Sequence, residues 1–148
     1  DRAWADGFLR SRWGDTLMVI RGQVYDLREY PAFFAQQDGR RVGLATYRLD
    51  GAACELLSLD STVERQGVGW ALIQAVMAVA RAAGCRRLFL VTTNDNTPAL
   101  RFYQRKGFHL SGLSVGAVDA ARQIKPGIPR LGIDDIPIRD EIELEIDL

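Results

Sequence analysis

Arg65-Gln66-Gly67-Val68-Gly69 lies where a β-rich run gives way to a helical pattern, and the chemistry of such a junction is anion binding. The first backbone N–H groups of a helix have no intrahelical partner and point outward. They coincide with the positive end of the helix dipole, so the spot suits a phosphate. Glycines at 67 and 69 matter because a Cβ would hold the backbone off a ligand or block the dihedrals needed. The G-x-G by itself is weak evidence, since a plain glycine-rich connection would look the same. No third glycine and no G-K-S/T follow, which excludes the dinucleotide fingerprint and the P-loop.

Other residues able to do chemistry are few. Strand alternation places Glu55 on the same face as Leu57 and Leu59, a lone carboxylate on an otherwise apolar face. Desolvation there would raise its pKa toward the range of a base near neutrality. An ion pair with one of the many arginines is the competing structural account. With His109 as the single histidine, and Cys54 far in sequence from Cys85, no zinc site, His-based triad or disulfide framework can be built. No metal is expected.

The elements that must position these residues follow from periodicity. Trp4, Phe8 and Leu9 give an opening helix that ends near Trp13-Gly14. Thr16 to Ile20 is β-rich, a turn-rich stretch follows, and Pro31 to Gln37 is a candidate strand. Asp38-Gly39 predicts a hairpin into Val42 to Leu49, and Asp50-Gly51 a second turn into Ala53 to Leu59. From Gly67 to Ala83 the apolar residues Val68, Leu72, Ala75, Val76, Val79 and Ala83 form a helical stripe, closed by Gly84. Leu88 to Val91 is a continuous apolar run, as in a strand covered on both faces. A second helix starts near Thr97-Pro98 with Asn96 or Thr97 as cap and ends at Lys106-Gly107; Phe108 to Val115 is a strand.

In the tail, Ile142, Leu144, Ile146 and Leu148 alternate with Glu141, Glu143, Glu145 and Asp147. The acidic row reads as a solvated sheet face; attraction of a cationic amine is the alternative. Together the elements predict a mixed α/β (α+β) fold, a single domain over residues 1–148. A central mixed sheet carries helices on both faces, with one right-handed parallel strand–helix–strand crossover that makes Ala53–Leu59 and Leu88–Thr93 parallel neighbours.

Composition narrows the functional classes. The 148 residues suffice for one core without a staple. The formal net charge of +0 gives no general electrostatic reason to bind nucleic acid or anionic lipid. No apolar run approaches the ~18 residues of a membrane span, and no signal peptide is visible, so a cytoplasmic location is the default expectation.

Glu64-Arg65-Gln66-Gly67-Val68-Gly69-Trp70 resembles the Q/R-x-x-G-x-G/A loop of the GNAT acyltransferases. Further on, Asn96-Thr97-Pro98-Ala99-Leu100-Arg101-Phe102-Tyr103-Gln104-Arg105-Lys106-Gly107-Phe108 resembles that superfamily's N-x-x-A-x-x-x-Y-x-x-x-G-F segment. The resemblance runs over roughly Val42 to Phe108. Thr92 to Asn96 and Ile136 to Glu141 also look like a bacterial subgroup without a settled substrate. Glu64 departs from the usual Gln or Arg, and a carboxylate there should point away from a phosphate. The family's first strand is not visible before Asp1.

The resemblance implies a transferase that moves an acetyl group from acetyl-CoA to a primary amine on a small molecule or peptide. Backbone groups of Arg65, Gln66, Gly67, Val68, Gly69 and Trp70 would hold the pyrophosphate, and Leu57, Ser58 and Leu59 would pair with the pantetheine amides. Asn94, Asn96, Ala99 and Phe102 would contact the coenzyme arm; a plain helix cap is an equally good account of Asn96. Arg101 and Arg105 share a helix face that could reach phosphate or simply be solvated. Tyr103 matches the family's acid beside the coenzyme sulfur, and Glu55 its base, with His109 in reserve. Trp4, Phe8, Trp13 and Tyr25 could line an acceptor pocket, although aromatics at helical spacing more often build a core. The main alternative is a non-catalytic acyl-CoA sensor or interaction module, which would need neither Glu55 nor Tyr103. The terminal strand could serve a homodimer or close the sheet.

Overall fold

A computed structural model describes residues 2–148 of the chain as two compact units. The fold is mixed α/β, and the described residues form four α-helices and eight β-strands. The first unit comprises the chain up to Met18, Asp26–Leu88 and the last two residues; the second comprises Val19–Tyr25 and Phe89–Ile146. A short hairpin, β1 (Leu17–Ile20) and β2 (Gln23–Asp26), follows helix α1 (Arg2–Trp13). The sequence showed the first of these two strands but gave only a turn-rich stretch for the second.

In the first unit β3 (Ala32–Gln37), β4 (Arg40–Asp50) and β5 (Ala53–Ser61) form an antiparallel meander. The predicted Asp38-Gly39 turn is present; the second, expected at Asp50-Gly51, lies one residue later at Gly51-Ala52, since Asp50 still pairs with Ala53. Helix α2 (Val68–Ala82) follows. It buries Val68, Leu72, Ile73, Val76, Met77 and Ala80, so the core-facing stripe is rotated from the predicted one: Ala83 is exposed and Ala75 and Val79 are only half-buried. Gly43 on β4 lets this helix lie close, for a Cβ there would stand 2.8 Å from Val68 Cγ1 and 3.0 Å from the Asp60 carbonyl oxygen.

One irregularity in β5 changes which side chains share a face. Thr46 pairs with Ser58 but Tyr47 pairs with Leu56, so Leu57 is an extra residue. Such a bulge shifts the alternation by one. Glu55 therefore shares its face with Ser58 and Asp60, across from Arg48 and Thr46. The strict alternation that grouped Glu55 with Leu59 does not hold.

The second unit orders its strands β6-β8-β7, with β6 at Arg87–Thr93, β7 at His109–Ser114 and β8 at Glu141–Asp147. Helix α3 (Thr97–Arg105) carries Pro98 in its first turn and is capped by Asn96, as predicted. Helix α4 (Ala117–Ile124), absent from the sequence reading, buries Val118 and Ala121. Its Arg122 donates to the carbonyls of Ile128, Pro129 and Ile138 and pairs with Asp119, which fixes the loop that follows. That loop closes on the β6–α3 turn. Asn94 Nδ2 donates to the Pro137 carbonyl, and Asn94 Oδ1 accepts from the backbone N–H of Arg139 and of Asp140. Asp95 accepts from Thr93 Oγ1 and from the Ile133 N–H.

The acidic row of β8 corrects the solvated-face expectation. Glu141 is 5% exposed and accepts from the Arg21 N–H; Glu143 accepts from the Ser111 hydroxyl and lies 3.9 Å from Arg21. The turn between β1 and β2 and the edge strand β7 thus supply partners that the tail alone could not reveal. Strand β7 is exposed along its length.

Candidate active site

The glycine turn is built from its anchors. Ser61 Oγ donates to the Val63 carbonyl and accepts from the Val63 N–H, and the Thr62 N–H and hydroxyl both donate to the Val42 carbonyl. These bonds pin the start of the loop to β4. Gln66 Oε1 accepts from Gln37 Nε2. Arg65 and Gly67 then take left-handed conformations at φ 56° and 75°. Gly67 is the N-cap of α2 and offers no side chain to it. Intrahelical bonding begins with Ala71 N–H to the Gly67 carbonyl, so the N–H groups of Val68, Gly69 and Trp70 come before it at the positive end of the dipole. A donor set of this kind, uncapped and next to a half-buried Gly69, fits an anionic diphosphate. Glu64 is exposed.

On the neighbouring strand Leu57 and Ser58 are buried and Leu59 half-buried. Glu55 is fully buried and accepts from Arg48 Nε at 2.8 Å. The carboxylate is thus not a lone one; the ion-pair account holds. The sequence reading passed over Asp60, two positions beyond Ser58 on the same face. It is half-buried, accepts from Trp13 Nε1 at 2.8 Å, and burial raises its pKa above the ordinary carboxylate value. A polar residue recurring at period two with Ser58 was the signal available. Cys54 and Cys85 are free, and burial pushes the Cys54 thiol up to about 12, which leaves no thiolate nucleophile there at neutral pH.

Of the aromatics expected to line a pocket, Trp4 does so. It joins Leu9, Tyr30, Phe34, Leu44 and Thr46 around a cavity of about 330 Å³ in the first unit. Phe8 is buried beneath Trp4, Trp13 is exposed and held by Asp60, and Tyr25 is buried with its hydroxyl on Gln23.

In the second unit Tyr103 is buried, edge-on to Phe102 and Phe108 with ring centroids 5.3 and 5.4 Å away. Asn96 Oδ1 accepts from the Ala99 N–H, so the cap account of Asn96 holds. Both lone-pair sites of Asn94 Oδ1 and one of its amide hydrogens serve the 137–140 loop. Arg101 and Arg105 are exposed. His109 is exposed, with Nε2 3.3 Å from Glu145.

Comparison with known proteins agrees with this anatomy. The acetyltransferase (GNAT) family matches residues 2–108. The uncharacterized protein YxbD of Bacillus subtilis is 42% identical over 138 residues, 93% of this chain and 87% of YxbD. The peptidyl-lysine N-acetyltransferase YiaC of Escherichia coli is 26% identical over 127 residues, 85% of this chain and 77% of YiaC. An acetyltransferase of B. subtilis solved in complex with CoA shares the fold, with a TM-score of 0.67 and 18% identity over 79% of this chain and 76% of its own. Among the described residues no helix is long and apolar enough to cross a membrane. The uncapped left-handed turn at the head of α2, set in this mixed sheet, carries the family's loop motif, and the chain belongs to the acetyltransferase (GNAT) family.

Proposed function

We propose that the chain is an N-acetyltransferase that uses acetyl-CoA to acetylate a primary amine. The observation that carries this reading is the run of N–H groups at the start of α2 behind the left-handed Gly67. Acetyl-CoA supplies the acyl group as a reactive thioester. Gly67, Val68, Gly69 and Trp70, with Arg65 and Gln66 before them, bind its diphosphate through backbone groups. Leu57 to Leu59 pair with its amide arm; Asn94, Asn96, Ala99 and Phe102 contact that arm.

Amine attack requires a neutral nitrogen, and the departing thiolate requires a proton. Tyr103, a phenol in an aromatic nest, donates that proton. Of the two carboxylates on one face of β5, Asp60 accepts the amine proton more readily, because its pKa is raised and its hydrogen-bond donor, the Trp13 indole, is neutral. Glu55 has its charge matched by Arg48 and acts chiefly by holding the strand.

Calorimetry with acetyl-CoA tests the class, and an amine-library screen tests the reaction. Coenzyme binding with turnover of at least one amine is expected. Binding without acetylation of any amine would favour a coenzyme sensor instead.

A further inference from the structure

The terminal strand β8 runs between β6 and β7, which leaves β7 at the edge of the second unit. Among the described residues the backbone ladder of β7 joins only β8. An edge strand offers a row of free N–H and C=O groups to any strand that comes alongside, and charged residues or proline commonly guard it. His109–Ser114 contains no Lys, Arg, Asp, Glu or Pro. All six residues are exposed, and the one ionisable side chain, His109, already faces Glu145.

The apolar residues of this edge are unusually open to solvent. Leu110 is 54% exposed, Leu113 64%, and Val115, just past the strand, 71%. Leu113 and Val115 are the two most exposed large apolar side chains among the described residues, and such clusters mark contact surfaces. Residues three apart on a regular strand point to opposite faces. Here the register against β8 slips at Ser111: Leu110 pairs with Leu144, Gly112 with Glu143 and Leu113 with Ile142. The bulge therefore sets Leu110 and Leu113 on one face, shared with the fully buried Leu144. Ser111 and His109 are taken up by Glu143 and Glu145.

We propose that β7 pairs edge to edge with β7 of a second copy of this chain, antiparallel, about a two-fold axis at Ser111-Gly112. In that register Leu110 of each copy lies opposite Leu113 of the other. Opposed residues must share a face, and the bulge supplies that condition. One apolar row then runs from Leu144 and Leu110 of one copy into Leu113 and Ile142 of the second copy. The small residues Ser111 and Gly112 meet at the axis, and His109 comes opposite Ser114. No like charges are brought together, so the edge is complementary to itself, and an isologous contact of this kind closes as a dimer. The contact is independent of acetyl transfer and forms without coenzyme.

Sedimentation equilibrium of the full chain tests the pairing. Concentrations of roughly 10–200 µM suit an edge contact that is small for a protein interface. The variants are Leu110→Glu and Leu113→Lys, at exposed positions where the fold tolerates a charge. Wild type is expected to dimerise, and each variant alone to do so about tenfold more weakly, because its new charge is set against leucine. An equimolar mixture of the two variants should dimerise again. In the mixed pair the carboxylate at 110 faces the ammonium at 113, and the other crossing keeps leucine against leucine. A monomeric wild type overturns the proposal, as do variants that dimerise as well as the wild type. A mixture no more dimeric than its components overturns the pairing of Leu110 with Leu113, and the edge contact with it.

Discussion

In the proposed reaction the proton chemistry turns on Tyr103 and Asp60, and each has its own signature. If Tyr103 donates to the leaving thiolate, Tyr103→Phe removes one hydroxyl and should lower kcat by about 10²–10⁴ while acetyl-CoA affinity measured by calorimetry barely moves. The nest of Phe102 and Phe108 that packs the ring keeps its contacts in the variant. Asp60 can be tested through stability. Burial disfavours its charged form, so the folded state holds the proton to higher pH than the unfolded chain does. The stability that Asp60 contributes therefore falls as pH rises from the ordinary carboxylate range through the raised value, then levels off, opposite to the contributions of Asp26 and Asp140, whose pKa values are lowered. Asp60→Asn, whose amide oxygen can still accept from Trp13, should remove that slope and gain on the wild type above it, as read by urea titrations between pH 3 and 7. Glu55→Gln should do the opposite near neutrality and lower stability, because it leaves Arg48 facing an uncharged partner.

Two glycines set how closely elements approach. A methyl group on Gly43 would meet Val68 and the Asp60 carbonyl, pushing the head of α2 off the sheet. Gly43→Ala should cost about 1–3 kcal/mol by overpacking and weaken acetyl-CoA binding severalfold in calorimetry. At Gly132 a Cβ would fall 2.0 Å from Asp95 Oδ2, so Gly132→Ala must break the Asp95 bond to the Ile133 N–H. A loss of about 2–3 kcal/mol is expected in thermal denaturation. At this scale the sequence was most legible where local chemistry rules: the Asn96 cap with Pro98 in the first turn, the Asp38-Gly39 hairpin, and the glycine turn. It was least legible where partners lie far off in sequence. Helix α4 went unseen because its fixing bonds run from Arg122 to carbonyls beyond its own end, and the β1–β2 turn came to Glu141 from the other end of the chain. The resemblance of residues 92–96 and 136–141 to one bacterial subgroup now has a physical account, for Asn94 ties those two segments together.

For the molecule as a whole, formal charge is balanced, so the proposed affinity for acetyl-CoA must come from local geometry rather than from a general field. Acetyl-CoA at a hundredfold excess over its Kd should stabilise the folded chain by about 2.7 kcal/mol, raising Tm by roughly 5–10 °C. Fold class and family were readable from two motifs and the periodicity between them. The assignment of faces on β5 was not, because a single surplus residue leaves no mark on composition or period. Its consequence reaches past this chain. Deleting Leu57 would close the ladder into regular pairing and leave Glu55 on the face it shares with Ser58 and Asp60, its pairing with Arg48 intact. Counting by twos straight back from Leu59, as though that surplus residue were not there, credits the carboxylate to the wrong side of the sheet.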